Sequence, residues 1–183
     1  MSSFESRSGA TVEGVTVFNL RNVKLRTGEQ FREVIGVELE PLVLGGQEYV
    51  PVPAELPAAL AITKANSGML YELAFAVRLH GPCFRCLRDS VLELPIEATE
   101  YQANDPAGDD ELESPYVADD SLDLSAWARD ALALELPEKI LHSPDCAGLC
   151  PVCGKDLNDE PHTHDDDATD SRWAALEALK DRL

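Results

Sequence analysis

The chain has 183 residues, with 34 acidic against 15 basic side chains and a formal net charge of −19. That length fits one compact domain with a real core. The charge argues against binding nucleic acid over a broad face, which requires Lys and Arg to displace counterions from phosphates. A basic protein is the natural counterpart. No apolar stretch approaches the roughly 18 residues of a membrane span, so a soluble protein is expected.

Residues 1–13 are rich in Ser and Gly and read as a flexible lead-in, followed by a single domain over residues 14–183. The first ten residues carry no apolar signal region, and five cysteines is an odd count. Both point to a reducing cytoplasm, where paired cysteines more often bind metal than form disulfides.

Period-two alternation then marks strands with one buried face. Phe31, Ile35, Val37 and Leu39 form one set, Met69, Tyr71, Leu73, Phe75, Val77 and Leu79 a second, and Leu92, Leu94, Ile96 and Ala98 a third. Shorter candidates cover residues 14–20, 48–52 and 58–64. Pro95 lacks an amide donor, so its strand is expected at an edge or bulge. Gly81 and Pro82 turn the chain between the two best strands.

Residues 103–120 hold no Lys or Arg and read as a mobile acidic loop. Asp123 is the expected N-cap of a helix whose stripe is Leu124, Trp127, Ala131 and Leu134, and Pro137 should end it. A knuckle and acidic segment spans residues 142–170. A closing amphipathic helix over 172–183 carries Trp173, Leu176, Leu179 and Leu183 on one face. The fold class expected is α+β: a mainly antiparallel sheet from the N-terminal half, a helix after the acidic loop, a metal-bound C-terminal segment and the closing helix.

The most specific signal is a pair of C-x-x-C knuckles, Cys83-Phe84-Arg85-Cys86 and Cys150-Pro151-Val152-Cys153-Gly154. Such spacing lets adjacent backbone turns aim two thiolates at one tetrahedral Zn²⁺, and glycine after the second cysteine supplies positive φ. Cys146, His142, His162 and His164 are further candidate ligands. Two arrangements compete. In one, Cys83, Cys86, Cys150 and Cys153 share a single Cys₄ site. In the other, Cys83 and Cys86 pair with His142 and Cys146, while Cys150 and Cys153 pair with His162 and His164. The spacings leave both open, so one or two structural zinc ions are expected.

The Cys83-x-Arg85-Cys86-Leu87 hairpin carries part of a family pattern, as do the Leu122-Asp123-Leu124 helix start and the Leu134-Glu135-Leu136-Pro137 helix end. The run Gly148-Leu149-Cys150-Pro151-x-Cys153-Gly154-x-Asp156-Leu157-Asn158 continues it, and Asp170-Ser171-Arg172-Trp173-Ala174-Ala175-Leu176 closes it. Together they resemble the YceD family, bacterial and plastid proteins linked to accumulation of large-subunit ribosomal RNA. The likeness covers residues 18–183, in the N-terminal third by pattern more than by residue. Many members place cysteines where this chain has His162 and His164, and some lack the C-P-x-C-G segment. The resemblance implies a role in synthesis, processing or stability of that RNA, and no mechanism.

The function expected is therefore that of a non-catalytic ribosome-biogenesis factor, acting through a basic ribosomal or assembly protein that its acidic segments attract. A variant keeps direct RNA contact through Phe84, Arg85 and Arg88 around the first knuckle. A zinc-dependent hydrolase is the third reading, and it requires an open coordination position that thiolate-rich knuckles usually lack. Oligomeric state is not legible.

Overall fold

The computed structural model describes residues 10–12, 15–105 and 112–164. The chain packs as two compact units, Met1–His142 and Ser143–Leu183. Ten strands and one α-helix follow in chain order among the described residues. These are β1 (Ala10–Val12), β2 (Val15–Asn19), β3 (Gln30–Glu38), β4 (Leu42–Leu44), β5 (Gln47–Pro51), β6 (Glu55–Lys64), β7 (Gly68–Pro82), β8 (Asp89–Ala103), β9 (Val117–Ala118), β10 (Ser121–Asp123) and α1 (Leu124–Glu135).

In the first unit, β3, β6, β7, β5 and β4 adjoin in that order with β8 along β7, while β1, β2, β10 and β9 make a smaller sheet. Every pairing is antiparallel. The fold is thus α+β and rich in sheet. Alternation explains the larger sheet. Leu56, Ala58, Leu60 and Ile62 of β6, and Tyr71, Leu73, Phe75, Val77 and Leu79 of β7, turn one face into the core. Helix α1 adds Leu124, Trp127, Ala128, Ala131 and Leu132 to that core.

The Asp123 side chain caps α1 by accepting from the Ala126 N–H at 2.9 Å. Helix α1 stops at Glu135, two residues before Pro137. Ser125 staples its first turn, accepting from the Thr16 N–H at 2.9 Å and donating to the Glu38 carbonyl at 2.8 Å. The expected stripe needs one correction: Leu134 is 87% exposed, and Ala128 and Leu132 take its place.

Three local expectations are also revised. Residues 10–12, read as part of the lead-in, form β1 against β2. The acidic stretch 103–120 contributes β9, because Val117 and Tyr116 are apolar enough to pack on the core. Strand β4 was not anticipated; it pairs with β5 through Gly45-Gly46, whose φ values of 59° and 82° suit a tight hairpin turn. Pro95 lies on β8, which pairs only with β7 among the described residues, as the missing amide donor requires. The closing helix expected over 172–183 lies outside the described residues.

The described part of the second unit is built of turns. An isolated bridge joins Leu149 to Asp156, and the Leu157 N–H donates to the Gly148 carbonyl at 2.9 Å. No helix among the described residues is long and apolar enough to cross a membrane.

Candidate metal centres

The first knuckle is the tip of the β7–β8 hairpin, whose ladder runs from Gly68↔Ala103 to Pro82↔Asp89. Beyond it the Cys83 N–H donates to the Arg88 carbonyl at 2.6 Å, and the Leu87 N–H to the Cys83 carbonyl at 3.0 Å. The base is braced from the side. Tyr49, 1% exposed, donates its hydroxyl to the Pro82 carbonyl at 2.8 Å, and Ser90 donates to the Gly81 carbonyl at 3.0 Å. Gly81 permits this approach, since a Cβ there would stand 2.4 Å from the Tyr49 ring and 2.7 Å from the Glu48 carbonyl oxygen.

Downstream of α1 the chain returns to the knuckle. The Phe84 N–H donates to the Ile140 carbonyl at 2.8 Å, which fixes the segment that leads to His142. His142 Nδ1 stands 3.2 Å from Cys86 Sγ. Cys83 and Cys86 are buried, and with His142 they place three candidate ligand atoms within 4.8 Å of one another. Burial works against a Cys83 thiolate, yet hydrogen bonds from the His142 ring and from the backbone of His142, Cys86 and Arg85 outweigh it, pulling the thiol down to about 5.

In the second unit the same backbone recurs. The Gly154 N–H donates to the Cys150 carbonyl at 2.9 Å, matching the Leu87 bond to Cys83. Gly154 has φ +73° and Leu87 φ 61°, so a leucine occupies the left-handed position that the second knuckle gives to glycine. Backbone N–H groups of Cys153 and Val152 and the His162 ring outweigh desolvation at Cys150, lowering its thiol to about 6.

Cys150, Cys153, His162 and His164 bring four ligand atoms within 4.8 Å. His162 Nε2 is 3.1 Å from Cys153 Sγ, while its Nδ1 lies 2.6 Å from the Glu160 carbonyl. A carbonyl can only accept, so Nδ1 carries a proton and Nε2 is the ring nitrogen turned to the sulfur, the orientation of a metal-ligating histidine held by its outer hydrogen bond. The same carbonyl contact, and then Cys150, raise the His162 pKa.

Donors of a tetrahedral zinc site with bonds of about 2.0–2.3 Å stand roughly 3.3–3.8 Å apart, so both groups need only a small contraction to fit. These are two Cys/His clusters of the kind that holds zinc. Cys83 and Cys86 have His142 beside them within the first unit, and Cys150 and Cys153 have His162 and His164 within the second.

The remaining sequence candidates are also placed. Cys146 is buried in the second unit and accepts from Asn158 Nδ2 at 3.7 Å. Phe84 is 43% exposed, with Lys139 Nζ 5.5 Å from its ring centroid, and Arg85 is exposed beside it while Arg88 is partly buried. Gly81 and Pro82, expected to turn the chain, instead stay in the β7–β8 ladder opposite Ser90 and Asp89, and sequence reading did not foresee the parts that Tyr49, Leu87 and Asn158 play. Asn158 also accepts from the Ala147 N–H at 2.8 Å, which locks the loop carrying Cys146.

Comparison with known proteins bears on the same residues. The family model described as Large ribosomal RNA subunit accumulation protein YceD matches residues 72–180, which takes in both knuckles. An uncharacterized protein of Mycobacterium tuberculosis is 36% identical over 128 residues, covering 67% of this chain and 61% of its own length, and one of Mycobacterium bovis matches equally. This chain thus spans about three fifths of the length of those relatives. Large ribosomal RNA subunit accumulation protein YCED homolog 1, chloroplastic, of Zea mays is 31% identical over 108 residues, 42% of this chain and 36% of that protein. No solved structure matches. With more than half of its length matched by the family model, the chain belongs to the YceD family.

Proposed function

We propose that this protein is a non-catalytic factor in the synthesis, processing or stability of large-subunit ribosomal RNA, held in shape by two structural zinc ions. The name of the maize relative and the family description support the RNA role. The observation that carries the zinc reading is His162, whose Nδ1 proton is committed to Glu160 and whose Nε2 is turned to Cys153.

One ion takes Cys150, Cys153, His162 and His164. The other takes Cys83, Cys86 and His142, and the sequence spacing offers Cys146 as fourth donor. Cys146 lies four residues past His142, within about 14 Å of extended chain, the short spacing that offers it as a ligand of the same ion. Zinc there supplies cross-linking, and four protein donors leave no position for a reacting water, which supports a scaffold over a hydrolase. The chain's own residues do the remainder, presenting carboxylates to a basic ribosomal or assembly protein in the cytoplasm.

Depleting the protein from its host should lower mature large-subunit RNA relative to small-subunit RNA. Wild-type chain should restore it and Cys86→Ser should not. Normal RNA levels after complete depletion would refute the role. The exposed Phe84, beside Arg85 and under Lys139, favours a second reading in which the knuckle tip touches an unpaired base. Arg85→Gln with Arg88→Gln should then abolish RNA crosslinking while leaving zinc content at the wild-type level.

A further inference from the structure

The two clusters share a backbone design and differ in everything that governs how an ion leaves. We propose that Cys150, Cys153, His162 and His164 form an exchangeable divalent-cation site, which gives up and regains its ion under conditions that leave the Cys83–Cys86 site loaded. The order of residues 143–164 is then set by free zinc. This inference rests on reading both clusters as zinc sites.

Access is the first difference. Cys83 is 0% and Cys86 5% exposed, whereas Cys153 and His164 are exposed and His162 is only partly covered. A competing ligand must touch the metal to displace its donors one at a time, and the second cluster presents more of its donors to solvent, His142 being the partly covered donor of the first. The donor set is the second difference. Two of four ligands in the second cluster are neutral imidazoles, against one among those proposed for the first, and thiolate holds zinc more strongly through its charge.

Support from the surrounding fold is the third difference. Cys83 and Cys86 follow directly on a long two-stranded ladder and are braced by Tyr49 and Ser90, so they stay assembled without an ion. Residues 143–164 bury Cys146, Gly148 and Cys150 and no large apolar side chain. Hydrogen bonds within this segment include Cys150 to Lys155 at 2.8 Å and Glu160 to Asp156 at 3.0 Å. A segment with no apolar core of its own is ordered by its metal, and it loosens when the metal goes.

The test uses the zinc-loaded full-length chain, titrated with EDTA and followed by native mass spectrometry. Timed iodoacetamide labelling and peptide mapping accompany each step. The expected result is a one-zinc species in which Cys150 and Cys153 alkylate at least about tenfold faster than Cys83 and Cys86. His164→Ala should lower the EDTA concentration that removes the first ion without moving the second step. Simultaneous loss of both ions, or earlier labelling of Cys83 and Cys86, would overturn the inference while leaving two zinc sites standing. A chain isolated with no zinc would sink the underlying reading and the inference together.

Discussion

Replacing Gly81 by Ala tests how the first knuckle is held. The added Cβ would meet the Tyr49 ring at 2.4 Å and the Glu48 carbonyl oxygen at 2.7 Å, both closer than real contacts allow. Tyr49 is 1% exposed, so its ring cannot swing aside without leaving the core. Overpacking of this kind costs about 1–3 kcal/mol. Displacing the ring also breaks the 2.8 Å bond from its hydroxyl to Pro82, which adds about 1 kcal/mol.

A destabilisation of about 2–4 kcal/mol is therefore expected, read as a lower urea midpoint with unchanged slope. Because Pro82 precedes Cys83, zinc affinity at the first cluster should fall as well. Adding Gly81→Ala to a Tyr49→Ala chain should cost less than adding it to wild type, with a coupling of at least about 1 kcal/mol. The Glu48 contact persists in the double variant, so part of the penalty remains. Strictly additive effects would refute the account, because the two side chains would then not share space.

Three other outcomes follow. Gly154→Ala meets no atom within 4 Å, so its cost is the left-handed φ alone, about 1 kcal/mol, and it should weaken zinc binding at the second cluster while unfolding of the first unit is unchanged. Ser125→Ala removes bonds to Thr16 and Glu38 and should lower the stability of the first unit by about 2 kcal/mol without altering zinc content. In metal-free protein the Cys83 thiol is depressed from 9.0 to about 5. The folded state therefore binds its proton more weakly than the unfolded chain, and the stabilisation is full above pH 9.0 and lost as pH falls through about 5. Ultraviolet thiolate absorbance against pH checks this, and a midpoint near 9.0 at Cys83 would contradict it.

What the sequence made legible was what local chemistry dictates. Strands β3, β7 and β8 showed through alternation, because each has one wet and one buried face, and Asp123 and Pro137 bounded α1 by capping and by the missing amide. Both C-x-x-C pairs were visible for the same reason. The partition of the histidines was not, since it depends on where the chain returns after α1, and the Phe84 to Ile140 bond that fixes it joins residues far apart in sequence. Leu134 misled because helical spacing gives the stripe and not its centre. Leu87 was invisible because nothing in a leucine announces positive φ; only the matching bond in the second knuckle reveals it. Strand β4 did have a signal in Gly45-Gly46 that three-residue strands are too short to reinforce.

Strand β8 runs fifteen residues with one side unpaired among the described residues, an open border of about 50 Å. Pro95 sits near its midpoint between Glu93 and Glu97, so an incoming strand meets a missing donor flanked by like charges after only half its length. For any strand that approached along so long a margin, the ladder would be interrupted by one imino acid.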